Sequence, residues 1–122
     1  MANNFNTYTD TGVGTSAATI YTCPSATETT IIGLNIANIL AVSITVDVQL
    51  ENNDGDNVYI VKSAIVPVGS SIVAVGGDQK IVMNASDVLK VTASQASAAD
   101  VTLSVLEITL CRLATLKRVR CM

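Results

Sequence analysis

The chain has 122 residues, 49% hydrophobic but only 3% aromatic and 14% charged, without histidine or tryptophan; this fits one compact domain and excludes a second folded unit. Val, Ile and Thr together fill a third of the positions, a density of β-branched side chains that suits pleated sheets and disfavours long helices. The formal net charge of −3 is unevenly divided, with three basic and ten acidic groups in residues 1–111 and four basic groups, Arg112, Lys117, Arg118 and Arg120, in residues 112–122, so the acidic body argues against nucleic-acid binding.

Residues 1–16, mainly Asn, Thr, Gly and Ser, read as an extended N-terminal arm that orders only against something else. From Ala17 the texture changes to short apolar runs separated by turn residues, the pattern of a sandwich or barrel. A short strand around 18–22 is closed by Pro24. In 30–38 the alternation points Ile32, Leu34 and Ile36 to one face. The clearest segment is 42–51, where every even position is aliphatic and every odd one polar, as a half-buried strand requires. Residues 52–57, Asn-Asn-Asp-Gly-Asp-Asn, tolerate left-handed backbone angles and predict a hairpin into a return strand over 58–66. Brief strands follow at 71–75, 80–83 and 88–93, the last with Leu89, Val91 and Ala93 opposite Lys90 and Thr92. In the final run Val101, Leu103 and Val105 share one parity while Leu106, Ile108 and Leu110 share the other, a phase slip that predicts a β-bulge near Val105-Leu106. The expected fold is all-β: an antiparallel sandwich of about eight strands over 17–110, jelly-roll-like, with the arm before it and a basic tail, 111–122, after it.

Motifs for chemistry fail one by one. Acid–base and nucleophilic catalysis most often use histidine, which is absent, and no G-x-S-x-G elbow occurs. The loop 54–57 invites a calcium reading, but alignment on Gly55 puts Leu50 and Val61 where carboxylates belong. Gly76-Gly77-Asp78 lacks the G-K-[ST] of a phosphate cradle. Cys23, Cys111 and Cys121 are odd in number and widely spaced, which reads as reduced thiols rather than a zinc site. No cofactor, metal, small-molecule substrate or enzymatic activity is expected. The apolar runs stop after about four residues, far short of the roughly twenty a membrane span needs, and the N-terminus has no secretory pattern. Four aromatics in all leave few platforms for bases or sugars.

The segments Ile20-Tyr21-Thr22-Cys23-Pro24, Ile31 to Asn38, Val75 to Lys80, Asp87 to Val91 and Ser104 to Thr109 resemble small virion structural proteins of tailed phages, especially those of cyanobacterial and marine hosts. The resemblance covers residues 17–109, and residues 110–122 depart from it. It implies a capsid decoration (cement) protein, assembled in the bacterial cytoplasm and carried on the virion as a homo-oligomer, a trimer or ring. Its partners would be the major capsid protein or neighbouring neck and tail proteins. The alternatives are a neck, connector or tail-fibre attachment protein, and a glycan- or receptor-binding adhesin domain. On this reading the arm and tail meet the neighbours, through Phe5, Tyr8, Arg112, Lys117, Arg118 and Arg120.

Overall fold

The computed structural model describes residues 2–109, which form nine β-strands: β1 (Ala2–Val13), β2 (Ala18–Thr22), β3 (Thr27–Asn38), β4 (Ile44–Glu51), β5 (Asn57–Val66), β6 (Ser71–Val75), β7 (Ile81–Met83), β8 (Val88–Ala93) and β9 (Ala99–Thr109). All pairings are antiparallel. One sheet runs β1-β9-β3-β6, with β7 also pairing on β3, and the other runs β2-β8-β4-β5. Apart from the β4–β5 hairpin and the β6–β7 link, every connection crosses from one sheet to the other.

The core lies between the sheets, built by alternation. Ile44, Val46 and Val48 of β4, Leu89, Val91 and Ala93 of β8, and Val101, Leu103 and Val105 of β9 are all buried, so each pleat contributes its inward row to one shared cluster. Each fully buried Val, Leu or Ile is worth about 1.5–3 kcal/mol. Asn38 ties the rim of this core: its side-chain amide donates to the carbonyls of Val42 (2.7 Å) and Val66 (3.0 Å), and its Oδ1 accepts the Leu40 N–H at 2.8 Å.

Three expectations are corrected. First, the arm expected over 1–16 does not stand off in its described part, residues 2–16. Residues 2–13 are a ninth strand, paired from Ala2↔Thr109 to Val13↔Ala99 on the chain's own β9, because an extended polar segment satisfies its backbone groups on any open sheet edge. Second, β9 carries no bulge near Val105-Leu106. Its pairing with β1 is continuous there, and where its pairing with β3 shifts, beside Val105, the extra residue is Ile32 of β3; the inward parity of β9 continues to Glu107, which is buried, while Leu106 and Ile108 fall on the outer parity and are only partly buried. Third, Ile32 does not share a face with Leu34 and Ile36: the register shifts between Ile31 and Gly33, so Ile31 is buried and Ile32 faces outward. The slip belongs to β3, not β9.

The 52–56 loop closes on itself. Asn52 Oδ1 accepts the N–H groups of Asp54 (3.0 Å) and Asp56 (3.1 Å), and Gly55 takes φ 95°, a left-handed angle that favours glycine. In β5, Ser63 also has a left-handed φ of 55°, and its N–H is captured by Asp47 Oδ1 at 2.6 Å.

Candidate assembly interface

On the inner face of the first sheet, one carboxylate gathers donors from both sheets. Glu107 of β9 is 7% exposed. From β1, Asn6 Nδ2 donates to its Oε1 at 2.5 Å and the Tyr8 hydroxyl donates to its Oε2 at 3.0 Å. From β2 in the opposite sheet, the Tyr21 hydroxyl donates to the same Oε2 at 2.5 Å. Because that phenol has one proton to give, the Thr29 hydroxyl, 2.8 Å away, donates to its oxygen in turn. Asn6 and Tyr8 are two residues apart on one strand, which is why both reach inward.

Burial works to raise the Glu107 carboxyl, but the hydrogen bonds from Tyr21, Asn6 and Tyr8 outweigh it and hold the group below the usual carboxylate range. The converse holds for the phenols: burial, then the hydrogen bond to Glu107, pushes both Tyr8 and Tyr21 up. Beside them the Cys23 thiol, pushed up mainly by burial, lies 3.4 Å from the Thr27 carbonyl and 3.3 Å from Thr29 Oγ1. An ionised acceptor ringed by un-ionised donors clasps strands together. Among the described residues, no buried side-chain oxygen or nitrogen lacks a partner, and no group of His, Cys, Asp or Glu is placed to hold a metal ion.

The outer face of the same sheet has the opposite character. In register across it stand Phe5, Leu106, Thr30 and Val82, with Ile32 and Ile108 alongside. Phe5 is 75% exposed and Val82 57%. Toward the other end of the face the β1–β9 pair is polar, and there a shallow depression is lined by Thr9, Asp10, Thr11, Asp100, Val101 and Thr102. Asp100 Oδ1 is already engaged by the Thr11 hydroxyl (2.6 Å) and the Gly12 N–H (3.1 Å), so that carboxylate braces the irregularity in β1.

The sequence-predicted contact residues therefore part company. Phe5 points out into the apolar row and is free to meet a neighbour, whereas Tyr8 points in and is spent on Glu107. Arg112, Lys117, Arg118 and Arg120 lie outside the described residues. The sequence reading missed Asn6, Tyr21, Thr29 and Glu107. Their signal was present, since Glu107 shares the parity of Val101, Leu103 and Val105, but a carboxylate in an apolar row reads as a break in the row.

No family model matches the chain, and no curated protein matches its sequence. Among solved structures, the fold is similar to that of the protein forming the disulfide-linked pili of Bacillus endospore appendages, with a TM-score of 0.55 at 13% identity over 90% of this chain and 88% of that one. A structure of the Gx strain of infectious bursal disease virus aligns with a TM-score of 0.46 at 14% identity, over 91% of this chain and 30% of that one. The pilus likeness is one of fold: an all-β architecture of two antiparallel sheets.

Proposed function

We propose that the protein is a structural subunit of an ordered assembly, and specifically that it decorates the capsid of a tailed phage, binding the major capsid protein and copies of itself. The observation that carries this reading is the apolar row on the outer face of the first sheet. The core is already closed between the sheets, so Phe5, Leu106, Ile32 and Val82 contribute nothing to it by facing outward. Exposed apolar rows of this kind mark contact surfaces. The strand order 1-9-3-6 opposite 2-8-4-5 we read as a jelly roll, an architecture that capsid proteins and lectins both use. Repeated contacts around a symmetric shell sum to firm attachment even when each is weak. The role needs rigidity and adhesive surface and no reaction chemistry.

A second reading, a subunit of an extracellular fibre, draws on the likeness in fold to the Bacillus spore pilus protein. A quantitative gel of purified virions separates them. A copy number near that of the major capsid protein supports decoration, about a dozen copies per particle marks a neck ring, and absence from particles with fibre growth from the purified chain marks the pilus-like role. Strong, saturable binding on a glycan array would instead identify an adhesin.

A further inference from the structure

We propose that β1 is an exchangeable strand: its segment 2–10 leaves its own β9 and pairs with the β9 edge of a second copy of this chain, in the same register. The proposal concerns the edge of the sheet, not its outer face, and goes beyond the particle reading.

Four observations carry it. First, β1 is an edge strand, and residues 2–10 pair without interruption with 109–101 of β9. Second, the segment holds little of the core. Its large apolar side chains are Phe5, 75% exposed, and Tyr8, partly buried, so detaching it gives up strand pairing, the Asn6 and Tyr8 hydrogen bonds to Glu107 and the Tyr8–Tyr21 contact, all of which a neighbour's β1 restores. Third, the release point is built in. The β1–β9 register breaks between Asp10 and Val13, and Gly12 there takes φ 69°. Beyond the break the chain is anchored, with Val13 buried, its carbonyl accepting the Ala98 N–H at 2.9 Å, and the Gly14 carbonyl accepting the Ala93 N–H at 2.8 Å. Thr11 and Gly12 stay tied to Asp100, so residues 2–10 can swing away from that point while the sandwich stays closed.

The fourth observation names the partner. When β1 leaves, Glu107 loses Asn6 and Tyr8 and keeps only Tyr21, and an under-bonded buried carboxylate is costly. The vacated edge is refilled only by a strand bringing an amide and a phenol two residues apart on its inward face, in phase with Glu107. Another copy's Asn6 and Tyr8 meet that requirement. A strand slipped by one residue turns both outward. Exchange of identical elements reproduces every contact of the monomer, so its equilibrium is set by chain concentration, which a crowded assembly raises.

The test traps the swapped pair. Thr7 and Ser104 are opposite one another across β1 and β9, and Thr102 is two residues out of register with Thr7. In chains carrying Cys111→Ser and Cys121→Ser, a Thr7→Cys chain is mixed with a Ser104→Cys chain of distinguishable mass and mildly oxidised. Exchange gives a covalent heterodimer several-fold more abundant than the Thr7→Cys plus Thr102→Cys mixture yields; equal yields from the two mixtures, or no heterodimer, overturn it. The unsubstituted chain provides a second measurement: in reductant, sedimentation shows dimers or larger species that grow with concentration and persist with Phe5→Asp. A chain that is monomeric at every concentration, or whose dimer is lost with Phe5→Asp, overturns the proposal. Both readouts are made in solution without particles, so absence of the protein from virions would refute the particle reading and leave the exchange standing.

Discussion

Tyr8 of β1 and Tyr21 of β2 belong to different sheets, yet their ring centroids lie 4.8 Å apart with a 45° tilt, and both hydroxyls donate to one oxygen, Oε2 of Glu107. The two sheets are thus joined by a buried polar clasp as well as by aliphatic packing. That clasp also fixes the phase of β1, since only Asn6 and Tyr8 in their present register reach it.

The clasp predicts an acid limit to stability. The Glu107 carboxyl is held below its ordinary value, which is about 4.3 in an unfolded chain. Its contribution is fully present above that value and is lost as pH falls through the lower folded value. Denaturant unfolding of the native chain across the acid range should show this loss, and Glu107→Gln should flatten it. Parallel curves for the two proteins would refute the assignment. At neutral pH, Glu107→Ala should cost about 1–3 kcal/mol, the penalty for buried donors left unpaired.

At the alkaline end the sign reverses for Tyr21. Its folded value is raised by burial and by Glu107, so it favours the folded state fully below the unfolded value of about 10 and loses that contribution as pH rises above it. Tyr21→Phe should remove this alkaline loss in the same unfolding series.

Asp47 of β4 predicts a contrast involving two neighbours on β5, Lys62 and Ser63. It accepts the Ser63 N–H at 2.6 Å, where the backbone is left-handed, while its ion pair with Lys62 is longer, 3.7 Å, and exposed. Asp47→Ala should cost about 1 kcal/mol through the lost hydrogen bond, whereas Lys62→Ala, at an exposed ion pair, should leave the unfolding transition where it is. Thermal unfolding of the two variants measures the difference.

The outer apolar row separates stability from attachment. Phe5→Ser and Val82→Ser replace exposed side chains and should leave unfolding unchanged within about 0.5 kcal/mol. Binding to purified shells should fall in both. Undiminished binding would move the contact to another surface.

At the rim of the core, Asn38→Leu should cost about 1–3 kcal/mol, because the carbonyls of Val42 and Val66 and the Leu40 N–H all lose their partner. Chemical denaturation measures it.

The sequence by itself determined the strands whose alternation is unbroken. In 44–49 and 88–93 the period of two matches burial residue by residue, because a pleat sends successive side chains to opposite faces whatever the neighbouring strands do. It also determined the hairpin loop, where Asn and Gly supply the backbone angles locally. What it left open depended on partners distant in the chain. Whether residues 2–13 pair with anything is decided by the free edge of β9, about a hundred residues later. Whether a phase slip falls on β3 or β9 is decided by which strand's register must yield when the two pair. Only the tertiary structure could show that Glu107 is inward, since a carboxylate enters an apolar row when Asn6, Tyr8 and Tyr21 arrive from two other strands to offset its desolvation. Periodicity is a property of one strand, but the cost of burying a charge is set by everything packed against it.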